Sequence, residues 1–188
     1  MSESTPHHFQ LADYGHVLAT RTRGADAARH LRELAGLDEC DIIVDFDRVA
    51  VLSPVFAQEL IGAVADLLDQ TGDGRLMVAI NLNEDVTDAL HLVLERRKRS
   101  LAYQHGDQVE LLADSPQLLA TLRQAQELGE FTVQALSHEL GVKPSAVSGR
   151  LQKLQAAGAV ARRRDPSAEH GMRHRYRAAT PALVAAAG

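Results

Sequence analysis

The chain has 188 residues, 45% hydrophobic and 24% charged, with 20 Lys/Arg against 25 Asp/Glu and a formal net charge of −5. These proportions are those of a folded globular protein and exclude a disordered or collagen-like chain. A single cysteine excludes an internal disulfide and a cysteine-rich zinc site, and no run approaches the ~18 apolar residues of a membrane helix.

The start, MSESTPHHFQ, lacks the basic-then-apolar layout of a secretory signal, so a cytoplasmic location is expected. Its polar character predicts a frayed segment of about ten residues. Residues 15–20 (GHVLAT) read as a short strand, and residues 26–37 as a helix carrying Ala27, Leu31 and Leu34. Cys40 precedes the apolar run at residues 41–46, DIIVDF, so it is expected to be a buried structural thiol beside a strand covered on both faces. Ser53 suits the N-cap of a helix that Pro54 starts and that runs to about Gln70. Residues 76–82 (LMVAINL) read as the next buried strand. Residues 83–99 read as a helix with acids in its first turn and Arg96, Arg97, Lys98 and Arg99 in its last, as the helix dipole prefers. That basic run is read as a helix end, with a supplementary phosphate contact as the other use. Residues 109–112 are a further short strand. Alternating strands and helices predict an α/β layer with a partly parallel sheet.

Residues 116–128 form a helix, either a linker or the first helix of the following module; the second is favoured. Thr132 would cap a helix bearing Val133, Leu136 and Leu140, which Gly141 ends. The next helix starts near Pro144 and buries Val147, Leu151 and Leu154. Its other side offers Ser145, Ser148, Gly149, Gln152 and Lys153, with no acid between Lys143 and Arg164. Small groups allow close approach to a groove, and Gln can read base edges. Gly149 is destabilising in mid-helix, which calls for close approach either to DNA or to another helix. Gly158 closes this helix. Residues 159–164 and 172–177 then read as a basic hairpin in which Arg173, Arg175 and Arg177 share one face and Tyr176 packs down.

From Phe131 onward there are nine Lys/Arg and three Asp/Glu, a formal +6, whereas residues 1–130 carry −11. That asymmetry predicts two domains, the second with an anionic polymer as partner, and with the 116–128 helix assigned to the second they are 1–113 and 114–188. Double-stranded DNA is the expected one.

The run AVSGRLQKLQAAGAVARRRD resembles the pattern small-Val-Ser-x-x-Leu-x-x-Leu-x-x-x-Gly of the winged helix-turn-helix in MarR- and ArsR-like bacterial regulators, over residues 116–180. The resemblance implies base contacts from Ser145, Ser148, Gly149 and Gln152, with Lys153 nearby, and phosphate contacts from Arg162, Arg164, Arg173 and Arg175. It also implies a homodimer on a palindromic site. Residues 42–64, IIVDFDRVAVLSPVFAQELIGAV, and the following LMVAINLNEDVTDAL are similar to STAS-like domains, relatives of anti-sigma-factor antagonists, over residues 15–99. The fold class expected is therefore a STAS-like α/β domain plus an α+β winged helix-turn-helix. In many antagonists the strand–helix loop bears a phosphorylatable Ser or Thr after an Asp; here Ser53 stands at the Asp-like position and Pro54 at the acceptor. Ser53 is the candidate phosphorylation site, with helix capping as its plainer role. An ATPase-like kinase or another protein is the candidate partner of this domain, and protein docking by the winged helix is the alternative to DNA binding.

No catalytic residues, cofactor or metal are expected. The chain has no phosphate-cradling glycine loop and no nucleophile elbow. Asp45, Asp47 and Glu59 read as loop solvation or structural hydrogen bonds. His7, His8, His170 and His174 have no cysteine pair or carboxylate partner at metal-ligand spacing.

Overall fold

The structure is a computed structural model that describes residues 5–70, 74–113, 115–164 and 174–186. It opens with strand β1 (His7–Gln10), a 3-10 turn (Leu11–Tyr14) and strand β2 (Val17–Leu18). Helix α1 (Arg21–Ala35) starts earlier than its apolar spacing suggests, because Thr20 caps it by accepting from Arg23 N. Strands β3 (Ile42–Asp45) and β4 (Val51–Leu52) follow, then helix α2 (Pro54–Gln70), strand β5 (Met77–Ile80) and helix α3 (Glu84–Arg97). Asn83 caps α3, accepting from Val86 N at 2.9 Å. Strands β6 (Leu101–His105) and β7 (Gln108–Leu112) complete this part.

The main sheet has the order β1-β3-β5-β6-β7, parallel except for the final β6–β7 hairpin. Residues alternate across it. Ile42, Val44, Met77, Ala79 and Leu101 face a core made with α1, α2 and α3, while Ile43, Val78, Ile80 and Ala102 face the opposite side. Two expectations need correction. The N-terminal segment is not frayed from residue 7 on: Phe9 is buried, and β1 pairs with β3 in the register His7↔Ile42. Residues 101–105 form a strand that the sequence reading passed over.

The rest of the chain covers the second face. It comprises helix α4 (Pro116–Leu128), strand β8 (Glu130–Phe131), helices α5 (Val133–Leu140) and α6 (Pro144–Ala156), strands β9 (Val160–Arg164) and β10 (His174–Ala178), and helix α7 (Pro181–Ala185). Strands β8, β10 and β9 make a three-stranded antiparallel sheet. Helix α4 belongs to this module, since its Leu118, Leu122 and Ala125 share one core with Leu136 of α5 and Val147, Leu151 and Leu154 of α6. That same core takes in Ile43, Val78, Ile80 and Ala102 of the main sheet, so the two parts are packed against one another with a continuous apolar interior.

The joint is also hydrogen-bonded. Met77 N donates to Gly158 O at 3.0 Å, and Ala102 N donates to Ala157 O at 2.8 Å. Gln126 Nε2 on α4 donates to both Val109 O and Ala179 O, at 2.9 and 2.8 Å. The turn that ends α6 is thereby held on the starts of two sheet strands.

Candidate nucleic-acid interface

Helix α6 is built as its sequence pattern demands. Val147, Leu151 and Leu154 are buried, and Arg150 turns inward, donating from Nη1 to Thr121 Oγ1 at 3.2 Å. The outward side carries Ser145, Ala146, Ser148, Gly149, Gln152 and Lys153, all exposed. Ser148 Oγ donates to Pro144 O at 3.0 Å, which holds the hydroxyl close to the helix surface. A Cβ placed on Gly149 would meet nothing within 4 Å among the described residues. Of the two reasons for a mid-helix glycine, the intramolecular one therefore fails. Helix α5 precedes α6 through Gly141, whose left-handed φ of +63° ends the helix. Thr132 caps α5 by accepting from Ala135 N at 3.2 Å.

The hairpin sorts its arginines differently from the sequence reading. Opposed residues in an antiparallel pair lie on the same face. Arg162 lies opposite Tyr176, which lies opposite Phe131. Tyr176 and Phe131 stack with ring centroids 5.8 Å apart, and burial pushes the Tyr176 phenol pKa upward, so it stays neutral at physiological pH. Arg162 is half-buried on this face. The other face carries the exposed pair Arg163 and Arg175, directly opposed in β9 and β10. Arg163 was not among the expected contacts; alternation from Tyr176 across the hairpin register would have found it. Arg173 lies outside the described residues, as do Met172 and His170, and Arg164 is placed by its backbone pairing with His174.

Arg177 shares that strand face with Arg175, as the alternation predicts, but it does not join the exposed pair. Its Nη1 and Nη2 donate to Asp41 Oδ2 and Oδ1 at 2.8 and 2.6 Å. Asp41 is buried and also accepts from Leu76 N at 2.8 Å, while its carbonyl accepts from His7 N at 2.8 Å. One residue at the head of β3 thus ties together β1, the approach to β5, and β10 of the hairpin.

Elsewhere, Ser53 caps α2 by accepting from Phe56 N at 3.2 Å, and its Oγ donates to Ala19 O at 2.9 Å. Asp45 accepts from Asp47 N and Asn81 Nδ2 and lies 3.0 Å from His8 Nε2, which makes it a structural anchor at the end of β3. Glu59 pairs with Arg21 at 3.5 Å, away from those acids. Of the basic run that ends α3, Arg97 Nη2 donates to Gln58 O and Arg99 pairs with Asp69, so both secure α3 against α2. Cys40 is partly rather than fully buried, in the loop between α1 and β3.

Three helices followed by a basic antiparallel hairpin, the last helix exposing one polar face, define a winged helix-turn-helix. The MarR family model matches residues 115–168, which begin at the cap of α4 and run through α6 and β9. No curated protein and no solved structure matches the chain. Among the described residues no helix is long and apolar enough to cross a membrane.

Proposed function

We propose that the protein is a bacterial transcriptional regulator that binds duplex DNA. The observation that carries this is the outward face of α6, where Ser145, Ser148, Gly149, Gln152 and Lys153 stand exposed and Gly149 faces open space. Small side chains there let backbone and Gln152 approach base edges in a major groove, while Lys153 favours phosphate. The hairpin supplies Arg163 and Arg175 to the sugar–phosphate backbone, and Arg162, Arg164 and Arg173 belong to the same basic segment. Two copies on a palindromic site fit the half-site logic of such modules. A cytoplasmic location follows from the DNA target.

Fluorescence anisotropy of labelled duplex against salt concentration tests the reading. Each phosphate neutralised contributes about 0.9 to the slope of log K against log salt. The double variant Arg163→Ala/Arg175→Ala is expected to flatten that slope by about 2 and weaken binding to all sequences alike. Salt-independent binding, or identical curves for wild type and variant, counts against the proposal. Gln152→Ala is expected instead to blur base preference, costing about 1–3 kcal/mol of discrimination at one position with the salt slope intact. A selection from random duplexes reads that difference.

For residues 1–113 we propose a STAS-like regulatory role, supported by the residue pattern around Ser53 and by one surface feature. Val17 and Val51, paired in β2 and β4, and Val55 in the first turn of α2 are exposed at 52%, 44% and 39%. They flank Ser53 with an apolar surface suited to a protein partner such as an ATPase-like kinase. A phosphoryl group on Ser53 would displace its contact with Ala19 O. Incubation with such a kinase and mass spectrometry of the 53-containing peptide tests this.

A further inference from the structure

We propose that His7, Asp38 and Cys40 form a binding site for a zinc-class divalent cation, and that its occupancy controls the hairpin through Asp41. The three residues are scattered in sequence and meet because β1 adds to the sheet edge beside the loop leaving α1. One ligand atom from each lies within 4.8 Å of the others. His7 Nε2 stands 2.9 Å from Asp38 Oδ1, and that same oxygen accepts from Cys40 N at 2.9 Å. A tetrahedral ion with bonds of ~2.0–2.3 Å needs ligand atoms roughly 3.3–3.8 Å apart, within reach of small side-chain rotations here. Imidazole, thiolate and carboxylate are the donors zinc prefers, and the partial exposure of all three leaves a fourth position for water.

The loop is prepared for this. Buried Arg75 donates from Nη2 to Ala35 O at 2.9 Å and to Asp38 O at 3.0 Å, fixing the backbone that presents Asp38 and Cys40. Binding displaces the thiol proton to solvent, and the carboxylate with the new thiolate balances the two charges of the ion.

The site adjoins Asp41 on two sides. Cys40 precedes it in the chain, and His7 N donates to its carbonyl. Asp41 in turn grips Arg177, two residues from Arg175 on the same face of β10. An ion that locks residue 7 to residues 38–40 therefore stiffens the mount on which the hairpin's arginines are carried. Zinc is expected to tighten duplex binding severalfold, a step that rests on the DNA-binding reading, whereas the site itself does not.

The test uses the full, reduced chain. Titration with Zn(II) against a chromophoric chelator is expected to show one ion per chain, and Co(II) to show thiolate-to-metal charge-transfer absorption. Cys40→Ser and His7→Gln should each weaken zinc binding at least about a hundredfold, more than loss of an outer-shell partner costs. Melting of both variants without metal checks that they fold as wild type does. Absence of stoichiometric binding, or equal affinity in wild type and Cys40→Ser, overturns the site. Zinc bound with duplex affinity unchanged overturns the coupling. No duplex binding in either state, with zinc still bound, sinks the regulator reading and the coupling, and leaves the site standing.

Discussion

Asp41→Ala is expected to be among the most destabilising single substitutions in the protein. The carboxylate receives both guanidinium nitrogens of Arg177 and the amide of Leu76, all within 2.8 Å, at a buried position. Its removal strands a cation that is only 21% exposed and leaves a buried N–H without its acceptor. Breaking one side of a buried pair costs about 3–5 kcal/mol, because the desolvation already incurred is no longer offset. For a chain of this size that corresponds to a fall in melting temperature of roughly 6–20 °C. Arg177→Ala should cost less, since the remaining carboxylate keeps the Leu76 amide. The double variant should be less destabilised than the sum of the two, the mark of a direct coupling. By contrast, Arg163→Ala, on the exposed face of the hairpin, is expected to leave stability within about 0.5 kcal/mol. Additive effects of Asp41 and Arg177 in thermal melts would show that the bridge does not hold the hairpin to the sheet.

That bridge shows where reading from sequence stops. Asp41 and Arg177 are 136 positions apart, and nothing in either neighbourhood announces the other. What was legible was local. The caps Ser53, Asn83 and Thr132 stand at helix starts, and the stripe Val147, Leu151, Leu154 is buried as its spacing requires. Strand β1 escaped notice because His7, His8 and Gln10 leave Phe9 as its only buried apolar side chain. Its order comes from pairing with β3, a tertiary override of a weak local signal. Strand β6 was missed for a similar reason: LAYQH follows directly on a basic helix end and carries its burial in Leu101 and Ala102 alone. The cluster of His7 with Asp38 and Cys40 exists only once β1 is in place, so a spacing argument confined to neighbouring residues could not assemble it. The outward face of α6 was legible because amphipathic periodicity sorts residues into inside and outside without knowledge of the fold. The hairpin's arginines were harder, since alternation gives two faces but not which one the sheet behind it covers.

Two glycines, one inside α6 and one just past its end, should respond to substitution by alanine with opposite effects on stability. At Gly158 the backbone has φ +74°, and an added Cβ would lie 2.5 Å from Met77 O and 3.0 Å from Met77 Cβ. Gly158→Ala therefore brings left-handed strain, about 1–3 kcal/mol, together with a clash against backbone that cannot swing aside. Relief requires the end of α6 to lift from β5, which breaks the hydrogen bond from Met77 N to Gly158 O. A total loss of about 3–5 kcal/mol is expected, with increased hydrogen exchange at the Met77 and Ala102 amides as the local signature. At Gly149 an added Cβ meets nothing, and the residue sits inside a helix. Gly149→Ala should stabilise by about 0.5–1 kcal/mol through reduced freedom of the unfolded chain. If α6 enters a groove as proposed, the same substitution weakens duplex binding while the protein becomes more stable. A Gly149→Ala protein that melts higher and binds duplex DNA as wild type does would mean that α6 does not approach DNA through this residue. Weaker binding from a more stable protein would place the cost of that glycine where groove contact requires it.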